Sequence, residues 1–136
     1  MTRKVAWIVS ILLLMNTGGL GLYNGLSELS DAHTALQRSV TTGVLIYGIL
    51  GLAAAVTLMM RRPVAVWFSI GWAIVITYVA STAALAYSGA DASVGGALAG
   101  GLGAALIGIG VVWCARMVTR PATLQERLHA PSGVQR

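Results

Sequence analysis

The sequence predicts an all-α membrane protein: an antiparallel up-down bundle of four transmembrane helices with both termini on the cytoplasmic side. Three observations carry that prediction. The first is composition. Of 136 residues, 57% are apolar and 10% are charged, whereas a soluble domain carries roughly 25% charged residues. Mean hydropathy is +0.79, which also excludes a disordered chain, since disorder requires low hydrophobicity and high charge. The second is the presence of four apolar stretches, 5–27, 40–60, 64–87 and 94–118. Each reaches the about 20 residues needed to cross about 30 Å of hydrocarbon. The third is the placement of Lys and Arg, which is strongly one-sided.

The first stretch follows Arg3-Lys4, and a basic pair before an apolar run resembles the start of a signal peptide. The sequence Asn16-Thr17-Gly18-Gly19 lacks an Ala-x-Ala cleavage pattern, and the apolar run continues through Leu26. A retained first helix is therefore predicted. The connection 28–39 contains Asp31, His33 and Arg38. The second stretch ends at Arg61-Arg62-Pro63, where Pro stops one helix and suits the first turn of the next. The third is followed by the turn-rich 88–93, and the fourth completes a transmembrane domain over 1–118. All four are apolar on every side, without the alternation of a β-barrel strand. Connections this short make consecutive helices antiparallel neighbours. The remaining 119–136 reads as a cytoplasmic tail, partly disordered, in which Thr123-x-x-Glu126 matches a capping box and Leu124 and Leu128 lie a turn apart.

Orientation follows from the basic residues. Arg3, Lys4, Arg61, Arg62, Arg116, Arg120, Arg127 and Arg136 fall on one side of the four spans, and only Arg38 on the other. Glu28, Asp31 and Asp91 fall with Arg38. A multi-pass protein of the cell inner membrane with both ends inside is expected. Trp7, Trp67 and Trp113 would anchor the inner interface, and Tyr23 and Tyr87 the outer one. The net charge of +5 is thereby explained by helix ends facing anionic lipid, and no nucleic-acid partner is expected.

Helices in lipid associate through small residues that let backbones approach. In the fourth span Gly96, Gly100, Ala104 and Gly108 recur every four residues, with Gly95, Gly101, Gly103 and Gly110 beside them. Gly21 and Gly25 repeat the spacing in the first span, preceded by Gly18, and Gly48, Gly51 and Ala55 provide small residues in the second. This predicts packing within the bundle. The sharper reading is a homodimer through the fourth helix, because the glycines exceed what one neighbour covers.

Chemistry is sparse. Cys114 is the sole cysteine, and His33 and His129 fall on opposite sides of the membrane. No catalytic residue, metal site or cofactor is predicted. Glu28, Asp31 and His33 form only a weak outer cluster. Glu28 lies about 34 Å along the first helix, at the outer interface. Small multidrug exporters, similar in size and helix number, depend on an acid in the middle of that span. Fluoride channels, also similar in size, pair oppositely oriented subunits, which so one-sided a charge distribution opposes. In span order and length the chain resembles the broad group of small four-helix DoxX-like membrane proteins, a likeness of architecture that carries no motif.

What remains is a layer of uncharged polar groups. Helix rise places Asn16, Tyr47 and Tyr78 at a shared depth, with Ser81 and Thr82 continuing the stripe of Tyr78. These groups either satisfy one another or line a small outward-facing pocket with Glu28 at its mouth. The function expected is that of an accessory or scaffold subunit without catalytic machinery, binding other membrane proteins or lipids. The alternative is an oligomeric carrier or channel for a small neutral or weakly polar solute.

Overall fold

Four helices account for most of the chain: α1 (Arg3–Ser27), α2 (Ala35–Met59), α3 (Ala65–Tyr87) and α4 (Val94–Thr119). They come from a computed structural model that describes residues 3–87 and 93–119, and no strand occurs among the described residues. Each helix is long and apolar enough to cross a membrane. The tail beyond Thr119, including the Thr123-x-x-Glu126 box and His129, lies outside the described residues, as does Asp91.

α2 begins at Ala35, five residues ahead of the span predicted from position 40. The cause is a capping box that apolar patterning does not register. Thr34 Oγ1 accepts the Gln37 N–H at 3.1 Å, and Gln37 Oε1 accepts the Thr34 and His33 N–H groups at 3.1 Å each. Arg38 Nε donates to the Ala32 carbonyl at 3.2 Å, which closes the loop onto the helix. Hydropathy reports where a helix enters hydrocarbon, and the polar first turns of α2 lie before that point.

The other end of α2 closes with both bonds of a Schellman motif. The Arg61 N–H donates to Leu58 O at 3.0 Å and the Arg62 N–H to Thr57 O at 2.9 Å. The position that Gly usually takes in this motif is held by Arg61, at φ 52°. A left-handed conformation costs a non-glycine residue about 1–2 kcal/mol. Pro63 follows and α3 starts two residues later.

The helices pack α1 on α2, α2 on α3 and α3 on α4, and α4 also touches α1. Facing residues run in opposite directions along each pair. Gly18 meets Leu52 and Gly25 meets Leu45; Gly51 meets Trp72 and Gly43 meets Val79; Gly100 meets Ala80 and Gly108 meets Ala73. Buried positions alternate in steps of three and four: Ile11, Leu14, Gly18, Gly21, Gly25 in α1, and Ala97, Gly101, Ala104, Gly108, Val111, Ala115 in α4. In α2 the same alternation runs Thr41, Val44, Gly48, Gly51, Ala55, Leu58. A mean step of 3.5 is the seam of left-handed knobs-into-holes packing. The larger apolar cluster joins Ile11, Leu14, Leu58, Trp72 and Val111 at the end bearing Lys4 and Arg61, hereafter the basic end. A smaller one joins Val40, Val44 and Val79 near the loop end, where 28–34 connects α1 to α2. Trp72 is fully buried, seated against Gly51, and its Nε1 has no hydrogen-bond partner.

Candidate functional site

Most hydroxyls in the spans are satisfied within their own helix. Thr17, Thr57, Ser69, Thr77, Ser81 and Thr82 each donate to the carbonyl four residues back at 2.7–2.8 Å. This bond is the local solution for a hydroxyl where water is scarce. It also uses up the groups from which a polar layer between helices would be built. Ser81 is the clearest case. It bonds to Thr77 O, and its Oγ sits where a side chain at Gly101 of α4 would have to go.

The five residues singled out as a candidate pocket are spread over different depths. Tyr78 OH shares a 2.7 Å hydrogen bond with Ser39 Oγ, near the start of α2. Glu28, at the loop end, accepts from Tyr87 OH at 3.4 Å, and the same hydroxyl lies 3.3 Å from Thr41 Oγ1. Tyr87 thus ties the end of α1 to α2 and α3. Tyr47 lies half-buried across Gly21, one turn or more deeper than the Tyr78–Ser39 pair. Asn16 is exposed on the outer surface of α1, where its amide has no hydrogen-bond partner among the described residues. The shared depth fails because interhelical register sets the levels: α1 meets α2 with Gly18 at Leu52 and Gly25 at Leu45, which puts Asn16 about two turns nearer the basic end than Tyr47. Ser39 and Thr41, which take part in the interhelical bonds, were not singled out, and Tyr87 was read only as an outer-interface anchor. The signal that would have found Ser39 is Thr34-x-x-Gln37, which places it inside α2.

The small residues divide as sharply. An added Cβ would lie 2.6 Å from the Tyr47 ring at Gly21, 2.7 Å from the Leu45 side chain at Gly25, 2.9 Å from Ala80 O at Gly100 and 2.7 Å from Ala73 Cβ at Gly108. Ala104 is buried on the same side of α4. Gly96 is exposed, and a Cβ there would meet only Ser93 Oγ, which caps the first turn of α4 by accepting the Gly96 N–H at 3.0 Å. Twelve residues of helix carry Gly96 about 120° away from Gly108, so a four-residue repeat leaves the packed face that a 3.5-residue seam keeps. A Cβ added at Gly19, Gly95, Gly103 or Gly110 would meet nothing within 4 Å beyond its own stretch of helix among the described residues.

Cys114 is half-buried and free of any disulfide. No three His, Cys, Asp or Glu residues converge among the described residues, the Glu28, Asp31 and His33 group included. No protein-family model, curated protein or solved structure matches the chain.

Proposed function

We propose that this chain is a non-catalytic accessory or scaffold subunit of the cell inner membrane, an up-down four-helix bundle with both termini cytoplasmic, that docks against another membrane protein. The observation that carries this reading is Asn16. Its position, thirteen residues into α1, lies well inside a membrane span, yet its side chain points away from the other three helices. An amide facing acyl chains forgoes its hydrogen bonds, and interhelical contacts in lipid recover them. Gly19 lies one turn further along and is open, so a partner helix could approach the backbone beside the amide. The orientation is supported by the eight-to-one distribution of basic residues.

A photo-crosslinking side chain placed at position 16, in cells, tests the docking. The expected product is a single stoichiometric membrane protein, lost when Gly19 is replaced by Leu and retained when Tyr23 is replaced by Leu. Crosslinks to lipid alone, in membranes where the chain is folded, would overturn the accessory role. Reporter fusions at each terminus test the orientation separately, and an external signal from either end would overturn it.

A further inference from the structure

We propose that the basic end holds a binding site for one anionic phospholipid, with the lipid phosphate between Lys4 and Arg61 and its first chain carbons against Ile8 and Val118. The inference rests on the helices spanning a membrane and is independent of the accessory role. A recess of about 400 Å³ opens at this end between α1, the α2–α3 turn and the end of α4, lined by Lys4, Trp7, Ile8, Arg61 and Val118. Lys4 precedes Trp7 and Ile8 by three and four residues, so the three share one face of α1. Trp7 is held on two sides. Its Nε1 donates to Leu58 O at 3.0 Å, and the Arg61 guanidinium lies 5.6 Å from the ring centroid.

Two features single out Arg61 from a generic basic turn. It occupies the left-handed position of the Schellman motif, which glycine fills without strain and where an arginine persists against local preference. Strained positions of this kind cluster at ligand sites. The carboxylates among the described residues, Glu28 and Asp31, both belong to the loop end, and Lys4 and Arg61 have no acidic partner among those residues. Two cations at one recess suit an anion. The rest of the lining decides which anion, because Ile8, Val118 and the indole face offer a free inorganic ion nothing and offer an acyl-bearing phosphate a continuous apolar path. Tryptophan and basic side chains at this depth suit a headgroup.

The test uses the full chain in detergent, loaded from mixed micelles containing phosphatidylglycerol or phosphatidylcholine and read by native mass spectrometry with a parallel thermal shift. Phosphatidylglycerol should be retained in preference to phosphatidylcholine as a single adduct. Arg61→Gly should weaken that retention by about fivefold, the worth of one cation near an anionic surface, while melting no lower than the parent without lipid, because glycine suits the turn. Lys4→Gln should weaken retention to a similar degree. Arg62→Gln, which removes the same charge one residue away, should change it by less than about twofold. Equal loss with Arg62→Gln would reduce the effect to general surface charge and overturn the site. Full retention by both Lys4→Gln and Arg61→Gly would overturn it as well, as would displacement by inorganic phosphate alone, which would make the recess a site for free anions.

Discussion

The two sides of α4 both carry glycines, and those glycines have opposite fates. On one side Gly100, Gly101, Ala104 and Gly108 bring its backbone against Ala80, Ser81 and Ala73 of α3. On the other, a Cβ added at Gly95, Gly103 or Gly110 would meet no other helix within 4 Å among the described residues, and the large side chains between them, Leu98, Leu102, Leu106 and Ile109, are 61–71% exposed. Glycine therefore does not mark an interface by its presence. It marks one where a neighbouring backbone comes too close for a Cβ. The same division separates Gly18 and Gly21 from Gly19 in α1. Glycine in a helix interior is a cost relative to alanine, and on the packed side closer helix contact offsets it. The open side of α4 has no such return among the described residues.

The comparison breaks most visibly with a bulky residue on each side. Gly108→Leu should cost about 3 kcal/mol or more, since overpacking against the Ala73 Cβ and Cα can be relieved only by moving α3. Gly103→Leu should alter stability by no more than about 0.5 kcal/mol. Unfolding by denaturing detergent measures both, and equal losses would mean that the two sides do not differ.

A smaller change where backbone meets backbone should sharpen the same contrast. A Cβ on Gly48 would stand 2.8 Å from Leu22 N, and 3.1 Å from both Gly18 O and Leu22 Cγ, so backbone would have to yield. Gly48→Ala is expected to lose about 1–3 kcal/mol in the same assay, whereas Gly19→Ala should lose nothing.

Trp72 probes the packed interior from the other direction. Truncation to Ala should cost about 3–5 kcal/mol. Phe should cost far less, about 1–2 kcal/mol, because it removes the unpartnered Nε1–H whose burial is itself unfavourable by about 1–3 kcal/mol. Thermal melting of the two variants distinguishes these values, and a Phe variant as unstable as the Ala one would mean that the indole N–H is satisfied by water.

A similarly small effect on stability is expected at Asn16. Because its amide faces outward and bonds to none of the described residues, Asn16→Ala should shift the stability of the isolated chain by less than about 0.5 kcal/mol. A loss of 1 kcal/mol or more, measured by thermal shift in detergent, would return Asn16 to the interior.

Much of the architecture was legible because lipid imposes a simple requirement. Backbone groups must be satisfied inside each span, so length and uniform apolarity suffice to identify helices. Three of the four helices begin within two residues of the predicted span, and α2 departs only where a capping box extends it into polar sequence. The candidate pocket was much less legible. Tyr78, Tyr87 and Glu28 take partners set by the relative depth of neighbouring helices, and depth estimated from hydropathy inherits every error in where a helix starts.

What the sequence determined alone is therefore the number of helices, their approximate limits and the one-sided distribution of charge. The tertiary structure decided which face of each helix is inside. In a soluble helix, polarity marks the outer face. In these spans both faces are apolar, so hydrophobic periodicity carries almost no information and only side-chain size distinguishes the interior. Size became readable once neighbours were in place: the seam at Ala97, Gly101, Ala104, Gly108, Val111 and Ala115 excludes Gly96, Gly103 and Gly110, although nothing local distinguishes one glycine from another. The reason is that close approach is a property of two backbones, and a single sequence position specifies only one of them.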